Sequence, residues 1–347
     1  MMTALLVWTV LSPAALGYSW TILEGAGAAP KVSGHAASVD HNGRVLLFGG
    51  LTGSAGSPCT NALMAYDEKE ADGSWQEVTA SNEGPGVRMY AASATVGSDM
   101  YVIGGWDSGE PGSGGTFKDE VWRFSIDSST WTQLAPLPCG PVSRHTACKL
   151  GDDTVIIQTF RGTLILDAST GTVREQPTSG TAPIGLSMCA AAPLGQASML
   201  IFGGSSKTQQ MTADVHVLDT ATWTWRKLVA KAGKGGRLPT PRASSCAAPV
   251  DGSSCIIFGG AGLGGGGYDG GAGLVAFDET WRVRVDGDDA IWDVVAEAGA
   301  NTPPPRVAAS LSALPSGKLL LQGGWDPVSK ATFDAPAVLT PRASVDE

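Results

Sequence analysis

Arg88, Arg144, Arg242 and Arg306 each lead into an apolar run, and His35 and His145 stand at comparable places. A guanidinium presents a planar fork of donors that binds carboxylate or phosphate through paired hydrogen bonds. Several forks around one opening would therefore hold an acidic peptide or a small anion. The competing reading is that each guanidinium is taken up internally, by a backbone carbonyl or a carboxylate of the next structural unit.

Other chemistries find less support. The four histidines, at 35, 41, 145 and 216, fall on two strand starts, a turn and a later strand. They are not expected to converge, so neither a metal site nor a cofactor is expected. There is no Cys-x-x-Cys pair to suggest zinc and no Ser on a nucleophile elbow. Glu24, Glu77, Glu83 and Glu297 could act as general acids or bases, but no specific pair of them stands out, and no catalytic residue is assigned.

What positions these side chains is a repeat. Arg44 to Gly50 (RVLLFGG), Asp99 to Gly105 (DMYVIGG), Ser198 to Gly204 (SMLIFGG), Ser254 to Gly260 (SCIIFGG) and Lys318 to Gly324 (KLLLQGG) have one form, with doublets starting at 49, 104, 203, 259 and 323. The gap of 99 residues is about twice the others and holds a degenerate copy, Thr154 to Phe160 (TVIIQTF). Six units of this period indicate a propeller or solenoid.

Within a unit, turns at Asn42-Gly43, Gly97, Gly151-Asp152, Gly195, Asp251-Gly252 and Ser316-Gly317 join a first strand to the run that ends in the doublet. A loop of variable length leads to a third strand, such as Glu120 to Ile126. The fourth strand opens on Trp75, Trp131, Trp225 or Trp292, with Val173 in that place in unit three. Four-stranded meanders of this kind bury their faces by packing radially. Trp20 opens a fourth strand with no unit before it, while the last unit stops after its third strand near Ala335 to Leu339. The N-terminal strand is expected to complete the last blade.

On these residues the chain resembles the kelch-repeat family over roughly Tyr18 to Leu339. The resemblance implies an all-β, six-bladed kelch β-propeller that binds partner segments through its loop-lined face. Some propellers of this kind are enzymes. A copper radical oxidase would need tyrosine and histidine ligands and a Cys–Tyr link, which are not evident. A sugar mutarotase similar to the sialic-acid epimerases, using carboxylates at the channel mouth, is the alternative reading.

The meander places the loops after the doublets and those before each first strand on one face. Arg88, Arg144, Arg242 and Arg306 are expected there in one register, with Gly34 and Gly185 at the other two places and His35 and His145 one residue further on. The Gly-rich loops at 106–118 and 261–273 would add Trp106 and Tyr268 as aromatic anchors. The second loop lacks the Gly-Lys-Ser/Thr ending of a phosphate cradle. Unit three, with only Arg161-Gly162 in this place, should leave a notch in the rim. The opposite face is expected to be acidic, with Asp67, Glu68, Glu70, Asp72, Asp127, Asp167, Asp219, Asp286, Asp288 and Asp289.

The 347 residues include 47 Gly and 21 Pro, which leaves little room for helices, and the net charge of −10 argues against a nucleic-acid partner. No segment beyond the N-terminus approaches the length needed to span a membrane. Residues 1–17 read either as a secretory signal or as an extra strand, 18–339 as the propeller and 340–347 as a tail. Cys148, Cys189 and Cys246 are expected in one channel-side register with Ser38, Ala92 and Ser310, and Cys246–Cys255 is the one disulfide to consider. This placement favours a reduced, cytoplasmic protein, whereas a cleaved leader would make it secreted. The expected partner is a protein carrying an acidic or anionic segment, bound by a monomer.

Overall fold

The structure is a computed structural model and describes residues 17–342, apart from 26–27, 54–56, 71–72, 110–112, 264–272 and 297–300. Among the described residues there is no helix. Six antiparallel meanders form the blades, and their first strands are Ala36–Val39, Ala92–Val96, Thr146–Leu150, Ala190–Leu194, Cys246–Asp251 and Ser310–Ala313. The sixth blade is closed by the N-terminus: Tyr18–Ile22 pairs antiparallel with Ala337–Pro341, with Trp20 opposite Leu339. That last strand runs on to Pro341, past the expected end of the propeller at 339.

The apolar core is divided among the seams between neighbouring blades rather than gathered at one centre. Each of six buried clusters joins two adjacent blades, as Leu200 and Phe202 of blade 4 do with Ile257 and Trp292 of blade 5. This is the packing of a repeat protein, in which each unit is stabilised by its neighbours. The tryptophans of the fourth strands are buried in these seams. Two of them also donate across a seam: Trp225 Nε1 to Thr163 Oγ1 at 3.3 Å, and Trp20 Nε1 to Thr280 Oγ1 at 2.9 Å.

The glycine doublets act in the same seams. The second glycine donates its N–H to a carbonyl of the following blade: Gly50 to Arg88 O, Gly105 to Val142 O, Gly204 to Arg242 O, Gly260 to Arg306 O and Gly324 to Val32 O, all at 2.9–3.0 Å. A side chain on the first glycine would collide with that same carbonyl, since a Cβ at Gly49 would lie 2.6 Å from Arg88 O. Both glycines also take positive φ, as at Gly49 (69°) and Gly50 (103°). Blade 3, with Thr159 and Phe160 here, has a different seam bond, from Gly185 N–H to Phe160 O at 3.0 Å.

Two residues beyond each acceptor carbonyl the chain reaches the channel axis. There Gly34, Tyr90, Arg144, Met188, Ser244 and Ala308 all adopt left-handed φ between 53° and 62°. Each N–H in this set donates to the carbonyl of the member in the preceding blade: Tyr90 to Gly34, Arg144 to Tyr90, Met188 to Arg144, Ser244 to Met188, Ala308 to Ser244 and Gly34 to Ala308, at 2.6–3.0 Å. The six bonds close into a ring. Non-glycine residues in this conformation cost about 1 kcal/mol or more each, and the closed ring of bonds holds them there.

This geometry corrects the expected register of the arginines. Arg88, Arg242 and Arg306 occupy the seam position, in line with Val32 and Val142, whereas Arg144 belongs to the axial ring with Gly34 and Tyr90. Gly185 precedes the equivalent position, which is Leu186. The cysteines separate in the same way: Cys246 is in line with Ala92 and Ser310, Cys189 lies one place earlier, and Cys148 aligns with Ser38 two places later. All six cysteines are free, and Cys255 pairs with Pro249 rather than with Cys246.

Candidate functional site

At the channel mouth a cavity of about 150 Å³ is lined by the six ring residues and the six that follow them, so Arg144, His35, His145 and Cys189 all border it. No carboxylate is among these lining residues. The mouth is uneven. Tyr90 extends over Gly34, where a Cβ would come within 3.0 Å of its ring, and Arg144 lies over that ring at 4.8 Å from the centroid. Trp106 flanks the same guanidinium at 5.5 Å and is in turn stacked on Phe117 at 6.2 Å. The short hairpin of Trp106–Asp107 with Thr116–Phe117 holds these two rings above blade 2. Across the mouth the ring residues are Met188, Ser244 and Ala308, none of them charged.

Arg144 is half-buried, its guanidinium donates from Nη1 to Ser143 Oγ at 3.4 Å, and no carboxylate pairs with it among the described residues. Its Nε is out of reach of water and has no acceptor. A guanidinium placed between two aromatic faces keeps part of its charge free for an incoming anion, because the rings screen it without neutralising it.

The other three arginines are not available at the mouth. Arg88, Arg242 and Arg306 are 1%, 1% and 3% exposed. Arg88 donates from Nε to Gly86 O (3.0 Å), from Nη1 to Gly104 O (3.1 Å) and from Nη2 to Glu120 Oε2 (2.6 Å). Arg242 repeats this with Thr240 O (3.0 Å), Gly259 O (3.2 Å) and Glu279 Oε2 (2.6 Å), and stacks on Phe277 at 4.0 Å. Arg306 bonds Pro304 O (3.1 Å) and Gly323 O (3.0 Å) and stacks on Phe333 at 4.0 Å, with no carboxylate partner among the described residues. Internal uptake therefore accounts for these three, with partners mainly in their own blade. Each ties the doublet carbonyl to the preceding loop.

Their electrostatics follow from burial. Burial lowers the Arg242 pKa and Glu279 opposes it, while Arg306, lacking such a partner, is pushed down to about 10. Burial alone would raise the Glu120 carboxyl, but the Arg88 and Trp122 hydrogen bonds outweigh it and hold the carboxyl below its ordinary range. The same Glu-x-Trp grouping recurs, with Trp122 Nε1 donating to Glu120 Oε2 at 2.9 Å and Trp281 Nε1 to Glu279 Oε2 at 3.1 Å. These two glutamates were not singled out in the sequence, although Glu-x-Trp at 120–122 and 279–281 was a visible signal for them.

His35 and His145 also belong to the seams. His35 reaches the doublet of blade 6, where a Cβ on Gly323 would lie 2.8 Å from its Cε1, and its Nε2 lies 2.8 Å from Ser310 Oγ. His145 stands in the same way beside Gly104. Burial pushes both imidazoles down to about 4, with a backbone contact at Ile103 opposing the shift of His145. They are neutral at physiological pH and add no positive charge to the mouth. Tyr268 lies outside the described residues.

On the opposite face the aspartates at third-strand ends form turns. Asp67, Asp167 and Asp219 accept through Oδ1 from the N–H two residues on, at 2.8–2.9 Å. Part of the acidity of that face is therefore turn chemistry. No helix among the described residues is long and apolar enough to cross a membrane.

Known proteins agree with this architecture. The family model for the KLHDC2/KLHL20/DRC7 Kelch-repeats domain matches residues 16–166 and 158–342. Kelch domain-containing protein 3 of Homo sapiens is 28% identical over 237 residues, covering 62% of this chain and 58% of that protein. Adagio-like protein 1 of Oryza sativa subsp. japonica is 28% identical over 242 residues, covering 62% of this chain and 37% of its own. A shorter match, 34% identical over 100 residues and 28% of each chain, is to the Rab9 effector protein with kelch motifs of Danio rerio. The chain thus spans less than two thirds of the length of each of these relatives. The solved structure of YjhT superposes with a TM-score of 0.65 at 19% identity, covering 88% of this chain and 93% of that one, which shows a shared fold. Kelch propellers are in general protein-interaction modules. With the family model matched along the whole ring and six four-stranded blades closed by the N-terminal strand, this chain belongs to the kelch-repeat β-propellers.

Proposed function

We propose that the protein binds a partner protein through the mouth face, as a monomer, with an acidic residue of the partner paired to Arg144. The observation that carries this reading is the state of that one guanidinium: half-buried at the mouth, set between Tyr90 and Trp106, and without a carboxylate of its own among the described residues. Loop tips around it support a protein partner. Of the eight large apolar residues exposed among the described ones, Phe117, Ile184, Leu238, Leu263, Val275 and Val328 stand on loops of this face. Apolar projections around a charged centre fit a protein surface better than a small sugar. Among the described residues no carboxylate lines the mouth, which gives the mutarotase reading no acid–base pair in its support.

Affinity capture from a lysate of the producing cells, using wild-type protein and the Arg144→Ala and Phe117→Asp variants, tests the reading. A protein held by wild type and lost with both folded variants is the expected result. An unchanged set of bound proteins would overturn it.

A further inference from the structure

Propeller blades present their fourth strand at the rim, where its outer backbone groups need a partner or water. In this ring several such edges are covered by the linker arriving from the preceding blade. On blade 4, Ser179–Gly180 runs parallel to Thr224–Trp225, with Thr181 N–H donating to Trp225 O at 2.9 Å. On blade 5, Val229–Ala232 runs parallel to the stretch from Asp289 to Trp292, and Gly233 N–H reaches Trp292 O at 2.7 Å. On blade 2 a side chain does the same work: Asn82 accepts from Trp131 N–H at 2.7 Å and donates to Trp131 O at 2.8 Å.

Blade 3 differs. Its fourth strand, Thr172–Gln176, pairs with Thr163–Asp167 on the inner side, where Val173 stands opposite Leu166 as Trp225 stands opposite Leu218. Val173 is thus the counterpart of Trp131, Trp225 and Trp292, and its outer N–H and C=O point to the rim. The linker that would cover them, residues 134–143, is fully described and adds no strand to that edge; it touches blade 3 where Arg161 donates to Cys139 O and where Leu134 lies beside Gly171. It is the shortest of the six linkers, and Leu134 and Leu137 N–H groups bond back to Val121 O and Asp119 O, both at 2.8 Å. Leu137 is buried between blades 2 and 3, which fixes that path.

A groove of about 630 Å³ adjoins this open edge, bounded by Arg161, Leu164, Glu175, Pro177 and Ile184. It exists because blade 3 lacks the doublet and has only Arg161-Gly162 for a loop. Ile184 is 53% exposed beside it. The strand itself shows two charges to solvent, Arg174 and Glu175, neither in an ion pair among the described residues. With Arg161 the surround carries two cations and one anion, and the two guanidinium groups donate only to neutral acceptors, Arg161 to Cys139 O and Arg174 to Gln176 Oε1. Edge charges discourage indiscriminate pairing and select an occupant with complementary ones.

We propose that the rim of blade 3 receives an extended segment of a partner protein, which adds a parallel strand to Thr172–Gln176, places an acidic residue beside Arg174 and lays an apolar side chain into the groove under Ile184. The parallel sense is the one the chain itself uses on blades 4 and 5. Backbone bonds would supply affinity, and the groove and charges would supply selectivity. This site is separate from the mouth and does not depend on Arg144.

Random decapeptides displayed on phage, panned on the full chain carrying Arg144→Glu so that the mouth is disabled, test the proposal. Enriched sequences should be extended, acidic and β-branched. Synthetic versions should slow amide exchange at Val173 and Glu175 and lose about tenfold or more in affinity with either Arg174→Glu or Ile184→Asp. Both are exposed substitutions, and thermal unfolding checks that the variants remain folded. Absence of any enriched peptide, or binding indifferent to both substitutions, would overturn the idea. So would a free protein whose Val173 amide is already as protected as that of Trp225. If that protection vanished on dilution, the edge would be an interface between copies; if it vanished on deleting residues 1–16, the occupant would be the chain itself.

Discussion

Arg242 and Arg144 are the same residue type, lie at the starts of corresponding segments and differ by two positions in the repeat, yet they meet opposite environments. At the seam position, the guanidinium of Arg242 is enclosed by the two carbonyls and one carboxylate it bonds and by an aromatic face. In the axial ring, Arg144 points into the mouth with two aromatic faces and one weak hydroxyl contact. In a propeller, then, two residues of register separate an arginine that joins the blade's own loops from one available to a ligand. Counting arginines near the mouth says little until the ring is located.

The sharpest way to break this comparison is to remove the seam member. Arg242→Ala would take from Glu279, itself half-buried, the closer of its two charge partners, leaving Arg237 at 3.3 Å, and would leave Thr240 O without its donor and Gly259 O with Ser245 Oγ alone. Stripping one partner from a buried pair typically costs about 3–5 kcal/mol, and the partial exposure of Glu279 together with its remaining pair to Arg237 puts the expected loss below that range, at about 2 kcal/mol. Chemical denaturation of Arg242→Ala against wild type measures it. A loss below about 0.5 kcal/mol would mean that the seam arginines are not structural hubs.

Much of this was legible in the sequence. The doublets, the tight turns and the recurring Trp gave the six blades, and the orphan fourth strand at Trp20 gave the closure, because each reports a local backbone demand. The register of the arginines was not legible, since it depends on counting from the left-handed ring residue. In four of the blades that residue is Tyr90, Arg144, Met188 and Ala308, side chains that give no sign of left-handed φ. The open edge of blade 3 was likewise hidden, although the notch beside it was foreseen from Arg161-Gly162. Whether a linker covers a strand is decided by where Leu134 and Leu137 dock, a tertiary matter.

The histidines sharpen the same contrast on a smaller scale. His35 and His145 line the mouth but are pushed down to about 4, against an unfolded value near 6.5. A lowered histidine pKa means that the unfolded chain takes up a proton before the folded one does. Stability is therefore unaffected above pH 6.5 and falls as pH drops from 6.5 towards 4, by up to about 1.4 kcal/mol per pH unit for each group. A His35→Gln/His145→Gln double variant should show a flatter melting temperature between pH 6.5 and 4. An unchanged slope would mean that these rings are not kept neutral by the seams.

The smallest expected effect is the other half of the comparison. Arg144→Ala removes no carboxylate partner, leaves the ring bonds of the backbone intact and forfeits only two stacking contacts and a long bond to Ser143 Oγ. Alanine also tolerates the left-handed φ of 58° no worse than arginine does, as Ala308 at 54° shows in the same ring. The change in stability should stay within about 0.5–1 kcal/mol. Denaturation of Arg144→Ala beside Arg242→Ala gives the ratio directly. A loss at residue 144 as large as that at 242 would mean that Arg144, too, is held for structure, and the mouth would then have no free charge to offer a partner.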